Sequence, residues 1–206
     1  MSDARSTLAA AKEMSDRLAS VRGGGIGRMV KYRRHVSDTT SGKGTVTRVF
    51  STVTTFGYFL PELQQRSKGA EELPGAVRSD PGVFALNVDR VQPRSEEDEC
   101  WIEEYARGTL TFPPLSRRVS LRTSASGVEF RDRVLPGDQI MFAGRGTPYR
   151  IASIPGATGL LTAASNFAAT VTGATYILYR PYQVLGWRLA DHQAEFHFQL
   201  RSLPRG

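Results

Sequence analysis

The stretch VLPGDQIMFAGRGTPYRI, residues 134–151, decides how the rest of the chain is read. Pro136-Gly137-Asp138 is a tight-turn signal: proline presets φ, glycine accepts φ > 0, and aspartate bonds nearby backbone. Gly144-Arg145-Gly146 is a second turn, set between residues 139–142 and 147–154, so the two runs read as a hairpin. Ile140, Phe142, Tyr149, Ile151 and Ile154 are then core candidates of a β-domain.

The same pattern extends outward on both sides. Downstream, Pro155-Gly156 breaks the chain, Leu160-Leu161-Thr162 reads as a short strand, and residues 176–179 as another. Residues 193–200 set Gln193, Glu195, His197 and Gln199 against Ala194, Phe196, Phe198 and Leu200, a strand period. Upstream, Val119 and Leu121 alternate with Arg118, Ser120 and Arg122. Residues 124–127 form a turn, and Val128 and Phe130 open the next strand. Short strands joined by Gly/Pro turns predict a small β-barrel or sandwich over residues 116–206.

The first 115 residues are more mixed. Leu8, Ala11, Met14, Leu18 and Val21 form one apolar stripe on a helix over 5–21, ended by Gly23-Gly24-Gly25. A lone helix of that length is marginal in water, so it is expected to pack on its own domain. Residues 26–44 read as an exposed basic arm or long loop, 45–59 as a strand rich in Thr, Val and Phe, and 61–82 as mostly loop. Residues 83–91 predict a half-buried strand, with Phe84, Leu86 and Val88 inward and Ala85, Asn87 and Asp89 outward. The expected division is an N-terminal helix at 1–25, an arm plus mixed region with an acidic segment at 26–115, and a β-domain at 116–206. The predicted fold class is mainly β: a small barrel or sandwich with a short N-terminal helix and extended arms.

The net charge of +7 invites a nucleic-acid partner, but its distribution favours protein docking. Residues 1–60 carry +6, residues 61–115 carry −5 and residues 116–206 carry +6. Unlike-charged regions suit docking against copies of the same chain, where complementarity sets orientation and register. The candidate interaction residues are Arg28, Lys31, Arg33 and Arg34 in the basic arm and Glu96, Glu97, Asp98 and Glu99 in the acidic run. No apolar run reaches the roughly 18 residues of a membrane span, so no membrane partner is expected. The opening MSDARST lacks a secretory pattern, and a single cysteine fits a reducing compartment.

Catalytic patterns fail one by one. His192, Glu195 and His197 are spaced H-x-x-E-x-H on a strand, which places His192 off the face shared by the other two, so no metal site is expected. Cys100 lies among Glu97, Asp98, Glu99 and Glu103, whose charges raise a thiol pKa. Residues 23–27 and 41–45 are glycine-rich but lack the Lys-Ser/Thr order of a phosphate loop. The acidic run, with Glu103 and Glu104, lacks the interleaved Gly and Asn/Asp of a hard-cation loop and reads as a solvated face or an acidic docking patch. Arg117, Arg118, Arg122, Arg131 and Arg133 have only Phe130 interleaved, too little for base stacking. The expectation is a non-enzymatic protein with no cofactor.

One resemblance is carried by residues 127–180. V-x-P-G-D-x-I at 134–140, Y-x-I-x-x-I at 149–154, Leu160-Leu161-Thr162, Phe167 and G-A-x-Y-x-x-x-R at 173–180 resemble the small β-domains of tailed-bacteriophage structural proteins, including neck, connector and fibre-anchoring components. The resemblance implies a virion subunit at the head–tail junction, forming a ring-like homo-oligomer in the particle, and in the host cytoplasm during assembly. It implies as partners copies of itself and portal, connector or tail proteins, with passing contact to DNA. A tail-fibre anchor, a nucleic-acid-binding β-barrel module and an enzyme with a dispersed site are the alternative readings.

Overall fold

In the computed structural model, residues 2–19, 27–60, 83–105, 109–112, 118–121, 134–153, 160–162, 171–191 and 193–203 are described. The helix α1 (Ser2–Ala19) is followed by eleven strands: β1 (Arg28–Thr40), β2 (Val46–Leu60), β3 (Val83–Asn87), β4 (Glu99–Tyr105), β5 (Thr109–Phe112), β6 (Arg118–Leu121), β7 (Gln139–Phe142), β8 (Tyr149–Ser153), β9 (Leu160–Thr162), β10 (Val171–Leu189) and β11 (Glu195–Ser202). The fold is mainly β, with one short helix, as expected. The helix stop at Gly23–Gly25, the turn and strand around 124–130, the loop 61–82, Ile154, Phe167 and residues 163–170 lie outside the described residues. So do His192, Arg117, Arg122, Arg131 and Arg133.

The chain divides into two compact units, residues 1–102 with 182–202, and residues 103–181 with 203–206. In the first unit the strand order β4-β1-β2-β3-β11-β10, with β10 next to β4, follows a ring. Its core is Val30, Tyr32, Phe84, Leu86, Val91, Cys100, Ile102, Tyr182, Val184, Phe198 and Leu200. Apart from Val91, which lies between β3 and β4, these come from alternate positions of β1, β3, β4, β10 and β11, so each of those strands turns an apolar face inward. In the second unit β10-β5-β6-β9-β8-β7, with β7 next to β10, forms a second ring. Ile140, Phe142, Tyr149 and Ile151 are buried there with Leu110, Val134, Tyr176 and Leu178. The hairpin predicted from Gly144-Arg145-Gly146 joins β7 to β8, with Ile140 opposite Tyr149. Gly144 takes φ 73°, and the Arg145 amide donates to the Phe142 carbonyl at 3.0 Å.

Three local expectations are corrected. Residues 26–44 are not a loop: Arg28–Thr40 is a strand, paired antiparallel with β2 from Arg28 opposite Gly57 to Thr40 opposite Val46. Its alternation was masked because Lys31, Arg33 and His35 occupy the outer positions while Val30 and Tyr32 point inward. Strand β3 is buried on both faces, Ala85 and Asn87 as well as Phe84 and Leu86. A second cluster of Tyr58 and Ala85 with Leu60 covers the face assigned to solvent. The strand read at 176–179 runs from Val171 to Leu189. Register shifts at 171/174 and 184/186 absorb Gly173 and Gly186. The helix α1 packs on its own unit, against β2 and β3, as expected. Met14 is 66% exposed, while Lys12 pairs with Asp89 at 2.7 Å and its carbonyl accepts from Asn87 Nδ2 at 3.3 Å.

Candidate functional site

The basic and acidic candidates meet inside the first unit. Strand β4 lies antiparallel to β1, with Arg33 opposite Glu99 and Tyr32 opposite Cys100. Alternation therefore puts Arg33 and Glu99 on the outer face and Tyr32 and Cys100 in the core. The Arg33 guanidinium pairs with Glu99 Oε2 at 2.5 Å. It lies between two rings, 4.1 Å from the Phe50 centroid and 4.2 Å from that of Trp101. Trp101 Nε1 donates to the same Glu99 oxygen at 2.9 Å. Burial pulls the Arg33 pKa below its ordinary value and the Glu99 charge opposes that. The stack is a cation–π sandwich closed by a carboxylate.

Asp98 is fully buried and collects donors from three directions. Tyr32 Oη donates at 2.5 Å, the His35 amide at 2.8 Å and the Arg94 amide at 3.0 Å. Ser95 contributes its amide and hydroxyl at 3.5 Å each. These bonds compensate the removal of the carboxylate from water. Burial, then the Asp98 bond, pushes the Tyr32 phenol far above its ordinary value. The Cys100 thiol is raised as well, by burial first and then by Asp98 and Glu99. The thiol is thus held as a neutral core group, in the direction expected from its acidic neighbours.

Beyond this anchor the hairpin continues as a two-stranded ribbon. Among the described residues β1 pairs with β4 only at 30–33, and β2 pairs with β3 only at 57–60. Between those limits β1 and β2 pair only with each other, and residues 36–49 are exposed throughout. Val36 is 56% and Val46 57% exposed, unusual for valine. The tip, residues 41–45, is closed by Gly44 at φ 77°, with the Gly44 amide donating to the Ser41 carbonyl at 2.8 Å. At the ribbon's root, His35 Nδ1 lies 2.9 Å from Glu97 and Nε2 2.9 Å from Asp38. The ring also meets Phe50 edge-on, and Arg48 reaches Glu97 at 3.8 Å.

His35, Asp38 and Glu97 place ligand-type atoms within 4.8 Å of one another. The two imidazole nitrogens diverge, however, and each faces a different carboxylate. Chemically the trio is a strap between β1 and the segment before β4. Sequence reasoning missed it, although the H-x-x-D spacing at 35–38 was available.

The remaining candidates are placed as follows. Arg28 lies over the Phe59 ring, 5.7 Å from its centroid. Lys31 is half-buried, and burial lowers its pKa. Arg34 lines a cleft on the opposite side of the ribbon from Arg33. Glu96 is exposed, and its carbonyl accepts from Gln183 at 3.3 Å. The reading of the whole acidic run as a solvated face or docking patch is corrected at two residues: Arg33 lies directly across the β1–β4 register from Glu99, and Asp98, just before β4, is buried and accepts from Tyr32.

In the second unit the resemblance motif closes on itself. Asp138, the aspartate of the turn, is buried and accepts from the Leu135 amide at 2.8 Å. Arg180, the last residue of the pattern, donates to it twice at 3.1 Å. Arg180 also reaches Glu104 at 3.6 Å. Burial raises the Asp138 pKa and the Arg180 pair counteracts it. Asp138 and Arg180 are thus held within the second unit. On β11, Glu195 is buried, accepts from Tyr58 at 2.6 Å and lies 3.6 Å from His197, on the face predicted for both. No helix among the described residues is long and apolar enough to cross a membrane. In comparison with known proteins, no family model and no curated sequence matches the chain.

Proposed function

We propose that the chain is a structural subunit of a bacteriophage particle at the head–tail junction, built to assemble with copies of itself into a ring and to dock neighbouring virion proteins. The observation that carries the reading is the ribbon: an exposed β-hairpin, rooted by the Arg33 and Asp98 networks, that extends beyond the strands to either side. A two-stranded ribbon is marginal alone, so one with exposed valines and open edges suits strand addition to a partner. The resemblance of residues 127–180 supports the virion assignment. Charge docking then falls to Glu96 and Lys43, since Asp98 and Glu99 are occupied and Glu97 is held by His35 and Arg48.

The test replaces residues 37–48 with an Asn-Gly turn, which keeps His35 and Phe50. Sedimentation mass is measured for both proteins at low and high salt. The expected result is a closed oligomer for the unaltered chain and a monomer for the trimmed one, with the same far-UV dichroism at the ring strands. Equal masses for the two proteins would remove the ribbon from assembly. A monomer in both, at every concentration and salt, would overturn the subunit reading.

A further inference from the structure

A cleft of about 170 Å³ opens at the root of the ribbon, lined in part by Arg34, Ser51, Asp89, Arg90 and Gln92. We propose that it is a binding site for a phosphate group. The inference is independent of the assembly reading, since it rests on the opposite side of the ribbon from Arg33.

The backbone brings these groups together. Arg34 is the cross-strand partner of Ser51, so their side chains leave the same side of the ribbon. The turn after β3 brings up the rest. The Arg90 amide donates to the Asn87 carbonyl at 3.1 Å, and the Asp89 amide donates to Asn87 Oδ1 at 2.8 Å. Two arginines, a serine and a glutamine then border one space, with Tyr32, Val53 and Val91 completing its wall. Guanidinium groups match oxyanions in a bidentate fashion, and they repel metal cations. One fork is enough for the two oxygens of a carboxylate. Two forks with a hydroxyl suit the larger tetrahedral anion. The single carboxylate of the lining, Asp89, has its own cation in Lys12 at 2.7 Å. The volume is below the roughly 300–1,000 Å³ of clefts that hold drug-sized ligands, and it suits one such group.

Calorimetric titration of the full chain with inorganic phosphate, at low ionic strength, tests the site. Saturable binding is expected, about tenfold weaker in Arg34→Gln and in Arg90→Gln, and unchanged in Arg150→Gln on β8. Amide shifts of Arg34, Ser51 and Arg90 in the unaltered protein supply a readout that needs no variant. Competition with a short DNA duplex separates the sources. Displacement of phosphate points to a nucleic-acid backbone, and no displacement points to a free phosphate; the site stands in both cases. Absence of saturation, an equal loss in Arg150→Gln, shifts confined to other residues, or acetate binding as tightly as phosphate would each overturn the proposal.

Discussion

Single residues in this protein carry weight through what they exclude or satisfy. Gly57 sits on β2 opposite Leu86, and a Cβ there would press on the Phe84 ring and Leu86 and lie 2.6 Å from the carbonyl oxygen of Ala85. A backbone atom cannot step aside as a side chain does, so Gly57→Ala overpacks the β2–β3 junction. The expected loss is about 1–3 kcal/mol, read from the urea midpoint. Asp138 illustrates satisfaction. Its carboxylate holds a turn amide and both Arg180 contacts, so Asp138→Asn removes the negative charge facing a mostly buried guanidinium. A loss of about 1.5–3 kcal/mol is expected for removing the charged partner, measured in the same way. A variant as stable as the parent would show that the turn stands without the clamp.

At the scale of elements, the ribbon depends on its root. Arg33 joins three elements through Glu99, Trp101 and Phe50. Removing it discards two ring contacts and one ion pair, at about 0.5–1 kcal/mol each. Arg33→Ala is therefore expected to lower stability by about 1.5–3 kcal/mol and to speed amide exchange at 30–35 before it affects β7 or β8. Uniform acceleration across both rings would mean that the root is not a local brace. The long strand β10 makes a related point. A strand can carry Gly173, Pro181 and Gly186 when bulges shift register around the glycines and Pro181 offers its carbonyl to the Leu203 amide at 3.5 Å.

Across the whole molecule, tyrosines set the alkaline limit. Tyr32 and Tyr58 in the first unit are raised well above 10.0, by burial and then by Asp98 and Glu195. Tyr179 in the second is pushed up to about 12 by burial, helped by Glu103. In each case the folded chain keeps a proton that the unfolded chain releases near pH 10. Stability is therefore full below that value and falls as pH rises above it. Tyrosinate absorbance and far-UV dichroism are expected to change together, in one cooperative step above about pH 10. An ordinary titration with the dichroism unmoved would show these phenols to be open to solvent.

Period-2 alternation and turn chemistry were enough to read the fold class, the 139–151 hairpin, the strand at 45–59 and the facing of Glu195 with His197, because those signals lie within a few neighbouring residues. Local sequence also placed carboxylates beside Cys100. The pairing of Arg33 with Glu99, the burial of Asp98, the covering of Ala85 and the meeting of Asp138 with Arg180 were decided by tertiary structure alone. Each joins positions that only strand register or chain closure brings together. A charge read along the chain cannot tell whether its partner lies in another molecule or directly across the next strand.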